Sequence, residues 1–566
     1  RFISFKMNKG LVYLCLTALI AACVQCDDII LKCDEFERLY DSVAGEPFCT
    51  VSGFSVSHSQ NIIIQKYLRA NMTKFMKFYD SRLLYLPFKL FDVFSNLKTL
   101  DVSFTEILDV PRNSFAAANT LSFLNMSNNN ITQLTTSVFV GASSLLRLDL
   151  SRNQITEINE FAFQGLTHLD KLQLSYNFIR VLSKDLFADN AYVETVALDG
   201  NLIEYIEPEV FSHLQRIRDV NLANNRLHQF HPNTFQAAYG LETLVLSSNQ
   251  LNEFHLANKS ILLHLRLERN ALTSISINAT KTVRADHNQL REIYMLNTAY
   301  LEDLVVSNNS LTDITNITQL TSLIYLDLSY NRIGPLNITT FDRQKRLREL
   351  YLRNTGLQQL TYGMFSKQTQ LELLDLSYNN LTELNLKLFV PYLVKLKTFY
   401  LDANNLTEVQ GFTGFSYAFP NLVKLGISQN RFNCSYLHTI LMPPFLSPAV
   451  SLHIEPVTSV EESSHIRDIT CSSNVKQSLK TVESELNHMT QLKNLMNQSM
   501  DAMRLHEQKL ELYLLLMKIA LIAMVCLLIG VVIAHFWRQR RPNYFFGPGR
   551  GNSIVFRSSN TINTEH

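Results

Sequence analysis

A 24-residue period in leucine and asparagine is the feature of this chain that most restricts its fold. The stretch LRLDLSRNQITEI, residues 146–158, has leucine at alternate positions, then an asparagine, then isoleucines two and five residues later. The same pattern returns 24 residues on, with Leu172, Leu174 and Asn177. Neither one helix nor one strand requires such a spacing, so the period indicates a structural unit that is stacked many times.

Aligned on the asparagine, the copies share the frame L-x-x-L-x-L-x-x-N-x-L, which is the pattern of a leucine-rich repeat. A degenerate copy around Ser81 precedes fifteen others. The asparagine positions of the fifteen are Thr105, Asn129, Asn153, Asn177, Asn201, Asn225, Asn249, Asn270, Asn288, Asn309, Asn331, Thr355, Asn379, Asn404 and Asn430. The predicted fold class is therefore an α/β solenoid, a horseshoe of about 15–16 repeats.

Stacking explains both recurring residue types. One coil cannot bury its own apolar face, so the leucines of successive coils form a continuous core. The asparagine amide is expected to donate to and accept from backbone groups of neighbouring turns. Thr105 and Thr355 retain only a hydroxyl at this position and lose part of that capacity.

A phenylalanine also recurs ten residues after the asparagine position and is expected to fill the convex side of each coil. It is found at Phe115, Phe139, Phe163, Phe187, Phe211, Phe235, Phe341, Phe365 and Phe389. It is absent after Asn249, Asn270, Asn288 and Asn309, where the spacing shortens from 24 to 21, 18, 21 and 22. Shorter coils hold less convex core, so we predict a change of curvature between about residues 250 and 330.

Both ends of the chain carry signals for export and anchoring. Met7 is the expected start, and the largely apolar run of twelve residues Leu11–Ala22 follows Lys9, as in a secretory signal peptide. Near the other end, Ile519–Trp537 is long enough to cross a bilayer, and three arginines follow it at once. The positive-inside rule then places the tail in the cytosol and the rest outside the cell, at the plasma membrane.

The predicted organisation follows from these segments. In chain order it is signal peptide 1–26, N-terminal cap 27–72, leucine-rich repeats 73–432, C-terminal cap 433–474, coiled-coil stalk 475–511, transmembrane helix 512–537 and cytoplasmic tail 538–566. The tail of 29 residues is too short for a folded domain, so signalling would need an adaptor or a partner subunit.

Four cysteines remain outside the predicted membrane span if the signal peptide is cleaved after Cys26. Paired cysteines at both ends of an exported solenoid are expected to be cap disulfides, although four cysteines allow three connectivities. The disulfide candidates are Cys33, Cys49, Cys434 and Cys471. Twelve N-x-S/T sequons fit a glycosylated exterior. The glycosylation candidates include Asn71, Asn125, Asn258, Asn316, Asn337 and Asn497.

After the C-terminal cap the period changes to seven. Eleven positions from Val475 to Leu510 follow each other at alternating steps of four and three, and nine of them are apolar. This stripe predicts a coiled coil that makes a homo- or heterodimer, with a lone amphipathic helix as the alternative. The exceptions, Lys493 and Glu507, favour a partner of complementary charge or a loosely packed stalk.

No catalytic arrangement appears in the sequence. It lacks H-E-x-x-H, G-x-S-x-G, a P-loop and clustered metal-ligand spacing. The glycine-rich stretch Gly547–Gly551 follows the membrane span and precedes no predicted helix, so it favours a flexible linker. We therefore expect no enzymatic activity, no cofactor, no metal and no nucleic-acid ligand.

Ligand binding is expected on the concave sheet, at the positions six, four and two before each asparagine. In the early repeats these positions are small or polar, and a glycan on Asn125 would obstruct them. Later repeats carry charged and tyrosine side chains, types enriched at interaction hot spots. The ligand-binding candidates form two stripes. One contains His264, Arg266, Glu268, Arg284, Asp286 and Asp303, and the other contains Tyr325, Glu349, Tyr351, Arg353 and Tyr400, together with Asp327 and Asp402. Charges placed there for solubility alone are the alternative.

The succession of signal peptide, 24-residue repeats such as residues 146–158, sparse capping cysteines and heptads resembles the leucine-rich repeat immune proteins of mosquitoes. The span Ile519–Trp537 resembles that family's transmembrane subclass. The resemblance implies innate immunity, in which soluble members pair through cysteines and coiled coils and hold complement-like thioester proteins. This chain departs from them because it has no adjacent cysteine pair after the repeats, only Cys434 and Cys471. Cys471 is then the cysteine placed for an interchain bond.

The sequence thus predicts a non-enzymatic, single-pass recognition protein of the cell surface. Its horseshoe would bind a protein, such as a complement-like thioester protein, or a microbial surface, and its stalk would pair with another chain. The rival interpretation is a cell-adhesion or developmental receptor, whose solenoid binds a neighbouring cell's copy or a matrix component. The heptad stalk favours lateral pairing on one membrane.

Overall fold

The chain forms two compact units, residues 1–474 and residues 475–566. The predicted signal peptide, membrane span and tail, and the predicted stalk apart from Lys493, lie outside the described residues. Among the described residues, no helix has the length and apolar content needed to cross a bilayer. The computed structural model describes residues 29–33, 48–56, 62–64, 70–87, 89–229, 231–235, 237–255, 262–297, 299–411, 418–441, 446–447, 449–454, 464–466, 469–471 and 493.

One parallel sheet, here called the concave sheet, joins eighteen strands of the described residues in chain order. Its strands are β2 (Phe48–Ser52), β4 (Phe75–Tyr79), β5 (Thr99–Asp101), β6 (Phe123–Asn125), β8 (Arg147–Asp149), β10 (Lys171–Gln173), β12 (Thr195–Ala197), β14 (Asp219–Asn221), β15 (Thr243–Val245), β17 (Leu262–Arg266), β19 (Thr280–Arg284), β21 (Asp303–Val305), β22 (Tyr325–Asp327), β23 (Glu349–Tyr351), β24 (Leu373–Asp375), β26 (Thr398–Tyr400), β28 (Lys424–Gly426) and β29 (Ser451–His453).

The other strands form small sheets, and the helices are short. The pairs and triplet are β1 (Ile29–Leu31) with β3 (Ile62–Ile64), β7 (Gln133–Leu134) with β9 (Glu157–Ile158), β11 (Val181–Leu182) with β13 (Tyr205–Ile206), β16 (Glu253–His255) with β18 (Ser274–Ile277) and β20 (Glu292–Met295), β25 (Leu384–Asn385) with β27 (Val409–Gln410), and antiparallel β30 (Ser464–Ile466) with β31 (Ile469–Cys471). The helices are α1 (Leu90–Val93), α2 (Cys434–Ile440) and the 3-10 turns Ala70–Met72, Pro232–Phe235, Ile317–Gln319 and Leu386–Leu388.

Each coil contributes one strand to the concave sheet, and the register keeps equivalent residues side by side. Leu172 pairs with Leu148 on one side and Val196 on the other, and all three are buried. The flanking residues Lys171 and Gln173 are half-buried. The predicted alternation of inward and outward side chains is therefore confirmed for these strands.

The return path of the long coils is made of turns. Ala162, Gln164 and Leu166 each donate their backbone N–H to the carbonyl three residues earlier, which is a turn pattern and not the i to i−4 pattern of an α-helix. The described solenoid is thus a parallel β-solenoid, and the predicted α/β class overstated its helix content. The horseshoe of leucine-rich repeats stands as the coarser description.

The buried asparagines form a ladder between coils, as predicted. Asn201 donates its Nδ2 to the carbonyls of Leu174 and Leu198, at 3.0 and 2.9 Å. Its Oδ1 accepts the backbone N–H of Ile179 at 3.2 Å. Ser81 occupies the same position in the degenerate first copy, where its hydroxyl bonds the backbone of Phe54 and Tyr79. Each side chain thereby satisfies backbone groups of two turns that would otherwise be buried without partners.

The recurring phenylalanines are buried and stack from coil to coil. Ring centroids of Phe163 and Phe187 lie 6.2 Å apart, and those of Phe187 and Phe211 lie 6.0 Å apart. The ladder begins one copy earlier than the sequence frame indicated, at Phe91, whose ring lies 5.6 Å from that of Phe115. Phe91 follows Ser81 by ten residues, so the degenerate copy obeys the same rule.

A second parallel sheet replaces this ladder in the short coils. Strand β18 lies between β16 and β20, with Ile275 paired to Phe254 and to Ile293. All three side chains are buried. The outer strands of the shortened coils thus form a three-stranded sheet, whereas the long coils have only two-residue pairs at the same frame position, β7 with β9 and β11 with β13. The sequence frame did not predict these outer strands.

Both ends of the solenoid carry a disulfide. Cys33 bonds to Cys49 in β2, and Cys434 at the start of α2 bonds to Cys471 at the end of β31. The expectation of a cap disulfide at each end is confirmed. The hypothesis of an interchain bond through Cys471 is wrong, because its sulfur is already bonded within the chain.

Candidate functional site

A depression of about 450 Å³ lies on the concave sheet where β15, β17, β19, β21 and β22 run side by side. Strand pairing arranges its lining in two rows. One row contains Thr243, His264, Thr282, Asp303 and Tyr325, and the other contains Val245, Arg266, Arg284 and Val305. Five of the predicted ligand-binding candidates are thus brought together, namely His264, Arg266, Arg284, Asp303 and Tyr325.

The two arginines of the depression differ in their partners. The guanidinium of Arg266 forms an ion pair with Glu268 at 3.4 Å. Arg284 is exposed and forms no ion pair with any described residue. Beside them, Nδ1 of His264 and Oγ1 of Thr282 are hydrogen-bonded at 2.8 Å. Arg284 is therefore the arginine of the depression that forms no ion pair with a described residue, although its charge also acts on Asp303 and Glu268.

Burial raises the pKa of two acidic side chains at the site, Asp303 and Glu268. Desolvation raises the pKa of Asp303, and Glu302 adds to this while Lys281 and Arg284 oppose it. Burial likewise raises the pKa of Glu268, against the backbone and Arg266. Both carboxyls are less favourable as anions here than in water, because the protein surrounds them with less polarisable material.

Two tyrosines continue the site toward the C-terminus. Their rings, on Tyr325 and Tyr351, lie 5.3 Å apart, and the hydroxyl of Tyr351 donates to Glu349 at 2.9 Å. Burial, with Asp327 and Glu349 nearby, raises the pKa of Tyr325 to about 12, and burial also raises the pKa of Tyr351. Both hydroxyls therefore remain protonated donors at physiological pH.

Arg353 has a structural environment that its sequence position did not reveal. Its guanidinium lies 4.1 Å from the ring centroid of Tyr378, donates to the hydroxyl of Tyr330 at 3.0 Å and donates to Ser377 at 3.2 Å. These contacts hold Arg353 against neighbouring coils. A charge reversal there would disturb packing, so Arg284 is the better residue for testing ligand binding.

The last candidates stand near the end of the concave sheet. Tyr400 packs edge-on against His453, with ring centroids 4.9 Å apart. The buried carboxylate of Asp402 accepts from the backbone and side chain of Ser428 and lies 3.3 Å from Nδ1 of His453. A Cβ on Gly426 would lie 1.8 Å from this carboxylate, so only glycine permits the approach. Asp402 is thus a structural group.

The remaining predicted residues border the depression or lie apart from it. Asp286, two residues beyond β19, is hydrogen-bonded to Nδ1 of His287 at 2.8 Å. Among the sequons, Asn71, Asn316 and Asn337 are exposed, and Asn125 is half-buried in β6. The candidates Asn258 and Asn497 lie outside the described residues.

Four lining residues were missed from the sequence, because the search favoured charged and aromatic types. They are Thr243, Val245, Thr282 and Val305. Each occupies a position six or four before a repeat asparagine, so the frame itself places them on the concave sheet. No group of three or more metal-ligating side chains occurs within the described ranges. The lining offers charge, hydrogen bonds and apolar contact, which suit recognition of a ligand.

A family model described as Leucine rich repeat matches residues 95–155, 143–194, 191–251 and 345–406. The matches leave residues 252–344 uncovered, which include the shortened coils. A comparison with curated protein sequences found no match. Leucine-rich repeats typically serve as protein-interaction modules with extended concave surfaces.

Solved structures show the same fold. The LRIM1/APL1C complex aligns at 20% identity and a TM-score of 0.51, covering 88% of this chain and 82% of that chain. The APL1 leucine-rich repeat domain aligns at 21% and 0.52, covering 75% and 97%. The Toll–Spatzle complex of Drosophila development and innate immunity aligns at 22% and 0.51, covering 71% of this chain and 60% of that chain. At these identities the likeness establishes a shared leucine-rich repeat fold.

Proposed function

We propose that this chain is a non-enzymatic recognition protein of the cell surface that acts in innate immunity. Its ligand, a protein or a microbial surface, would bind on the concave sheet. The observation that supports this is the depression around Arg284, an exposed positive charge without a partner among the described residues. A depression that combines a positive charge, hydroxyl groups and valine side chains is typical of a binding site.

The fold neighbours support a protein partner. LRIM1 and APL1C were solved as a complex with each other, and Toll with Spatzle. We propose a partner of comparable kind here, with a complement-like thioester protein as the candidate suggested by the sequence resemblance. A glycan on Asn125 would occupy β6, five strands before β15, and would leave the depression as the approachable part of the face.

Pairing through residues 475–511 and anchoring through residues 512–537 belong to the same proposal. They rest on the heptads and on the uncharged run of the sequence. Because Cys471 is bonded to Cys434, the pairing would be non-covalent. Light scattering of the full chain in detergent should then give a dimer mass under reducing and non-reducing conditions alike, and a monomer in both would refute stalk pairing.

Binding by cells that display the full chain tests the recognition role. We expect them to retain fluorescent bacteria, or the purified thioester protein, more than control cells do. Arg284→Glu should reduce retention at least about fivefold, as loss of one desolvated charge contact does. The control is Arg332→Glu, because Arg332 is exposed and lies outside the concave sheet.

The adhesion alternative predicts a different result for an experiment with the same cells. Two populations that display the chain and carry different dyes would clump together without any microbe or added protein. Such clumping, or failure to retain either probe, would contradict the recognition role.

A further inference from the structure

We propose that the depression receives a single carboxylate on an aliphatic stem, a glutamate or aspartate side chain presented by an extended protein segment, with Arg284 as its charged contact. This inference rests on the proposed function in that the concave sheet is taken as the ligand surface. It adds the chemistry of the group that is bound.

Arg284 is the reason for proposing an anionic ligand. A guanidinium forms its strongest contacts with planar oxyanions through two parallel hydrogen bonds. Arg284 is exposed at the end of β19 and has no ion pair among the described residues, whereas Arg266 beside it is committed to Glu268 at 3.4 Å. The depression therefore has one free charge to offer and not two.

The rest of the lining supplies the reason for an aliphatic stem. Val245 and Val305 flank the arginine row in the strand register, one on each side. They give apolar contact for methylene groups next to the charge. The hydrogen-bonded pair of His264 and Thr282, with the hydroxyl of Tyr325, lines the adjacent row and suits the backbone of an extended segment.

The acidic neighbours restrict the ligand to a single charge. Asp303 belongs to the lining, and Glu268 and Asp286 stand two residues beyond the arginine positions of β17 and β19. A sulfated polysaccharide would bring several negative charges onto these carboxylates, and like charges at close range disfavour binding. The charge pattern thus favours a carboxylate of a protein over a polyanion.

Protection of Arg284 from a guanidinium-specific dicarbonyl reagent tests this inference. The full chain in detergent is treated with p-hydroxyphenylglyoxal, and modification at each arginine is followed by mass spectrometry. The probe is N-acetylglutamate N-methylamide at about 50 mM, because one exposed charge-assisted pair gives only millimolar affinity. Its neutral glutamine analogue, at equal ionic strength, is the comparison.

We expect the glutamate probe to slow modification of Arg284 about threefold or more, and the glutamine analogue to leave it unchanged. Arg332, which is exposed and also lacks an ion pair in the described part of the chain, should react at the same rate with both. Equal slowing of Arg284 and Arg332 would overturn the proposal.

Two further arms sharpen the result. Asp303→Asn removes a like charge from the lining, so half-protection of Arg284 should need about threefold less probe. Heparin fragments should protect Arg284 no better than they protect Arg332, and preferential protection by heparin would make the depression a polyanion site instead. The assay needs no biological partner, so its failure is distinguishable from a failure of the cell-binding experiment.

Discussion

The long and the short coils of the solenoid share one face and differ on the other. From Asn129 to Asn249 each coil has 24 residues and closes around a stacked phenylalanine such as Phe187. From Asn249 to Asn309 the coils have 21, 18 and 21 residues and close through β16, β18 and β20. Both keep the parallel register of the concave sheet and the asparagine ladder.

This comparison shows that the packing of the inner leucines and the hydrogen bonds of the asparagine do not depend on coil length. What coil length decides is the outer layer, where a phenylalanine needs the longer turn. The long coils also pair on the outer side, but only through two-residue strands such as β7 with β9. The short coils pair there through three or four residues, which holds neighbouring coils about 4.8 Å apart on both sides of the core. This is a physical basis for the predicted change of curvature between residues 250 and 330, which stays a prediction. The depression lies over these short coils, since β17 and β19 belong to them.

The largest effect is expected from breaking the outer layer of a long coil. Phe187 is fully buried between the rings of Phe163 and Phe211. Phe187→Ala should reduce the free energy of unfolding by about 4 kcal/mol, because it leaves a cavity that the stacked neighbours cannot fill. Urea denaturation, with hydrogen exchange measured coil by coil, would show protection lost on both sides of the substituted coil.

The matched control for this change is Phe178→Ala in the same coil, one residue after Asn177. The side chain of Phe178 is 47% exposed, so its loss should alter stability by less than about 0.5 kcal/mol. Comparable losses in the two variants would contradict the assignment of the phenylalanine ladder as core.

A smaller effect is expected from the asparagine ladder, and it should differ between the two regions. Asn201→Ala leaves the buried carbonyls of Leu174 and Leu198 without this hydrogen-bond donor, so it should reduce the free energy of unfolding by about 3 kcal/mol. Asn288 makes equivalent bonds in a short coil, to Leu267 and Ala285, but it is half-buried and water can replace part of them. Asn288→Ala should therefore cost about 1.5 kcal/mol.

The same denaturation experiment checks both variants. Equal losses at the two positions would show that exposure does not weaken the ladder in the short coils. The comparison between the regions would then rest on the outer layer alone.

Much of the fold could be predicted because the repeat frame is periodic. Once Asn201 is aligned with its equivalents, the frame fixes which residues face the core, which bond the ladder and which point to the concave surface. The second sheet, of β16, β18 and β20, was not predicted because the frame describes an average coil. Its own signal is a period of two, visible in Ser274–Ile277, where the two isoleucines are buried. That signal gains meaning only when the shortened spacing is taken into account.

The candidate site was predictable in position and less so in role. Arg353, like Arg284, is an arginine at a frame position expected on the concave sheet, yet Tyr330 and Tyr378 hold it from the coils on either side. Both tyrosines immediately precede a ladder asparagine, so the frame places them at equivalent points of the two coils that flank the coil of Arg353. Whether a guanidinium reaches them depends on side-chain geometry, which periodicity does not determine.

The smallest effect is expected from a charge two positions before the asparagine of one short coil. Several long coils have serine there, at Ser151, Ser175 and Ser247, whereas the short coil of Asn270 has Glu268. Its side chain is 16% exposed, and its Oε2 is buried without a hydrogen-bond partner among the described residues. Burial raises the pKa of Glu268 above its ordinary value of 4.5. The protonated form is therefore favoured by folding.

The sign of the pH dependence follows from this direction. The stability that Glu268 contributes is fully present below pH 4.5 and is lost as the pH rises through its higher folded pKa. Glu268→Gln should thus be more stable than the unsubstituted chain at pH 7, by less than about 1 kcal/mol because the ion pair with Arg266 is screened and partly offsets the gain. The gain should disappear on acidification below pH 4.5.

Asp313→Asn is the control of opposite sign. Hydrogen bonds from Thr315 lower the pKa of Asp313 below 3.8, so its stabilising contribution is present above pH 3.8 and lost as the pH falls through the folded pKa. This variant should be less stable than the unsubstituted chain at pH 7 and equal to it in acid. If Glu268→Gln followed the same course as Asp313→Asn in thermal melts between pH 3 and pH 7, the carboxylate of Glu268 would be a stabilising partner of Arg266. Burial of the Glu268 carboxylate in its short coil would then not reduce the stability of the fold.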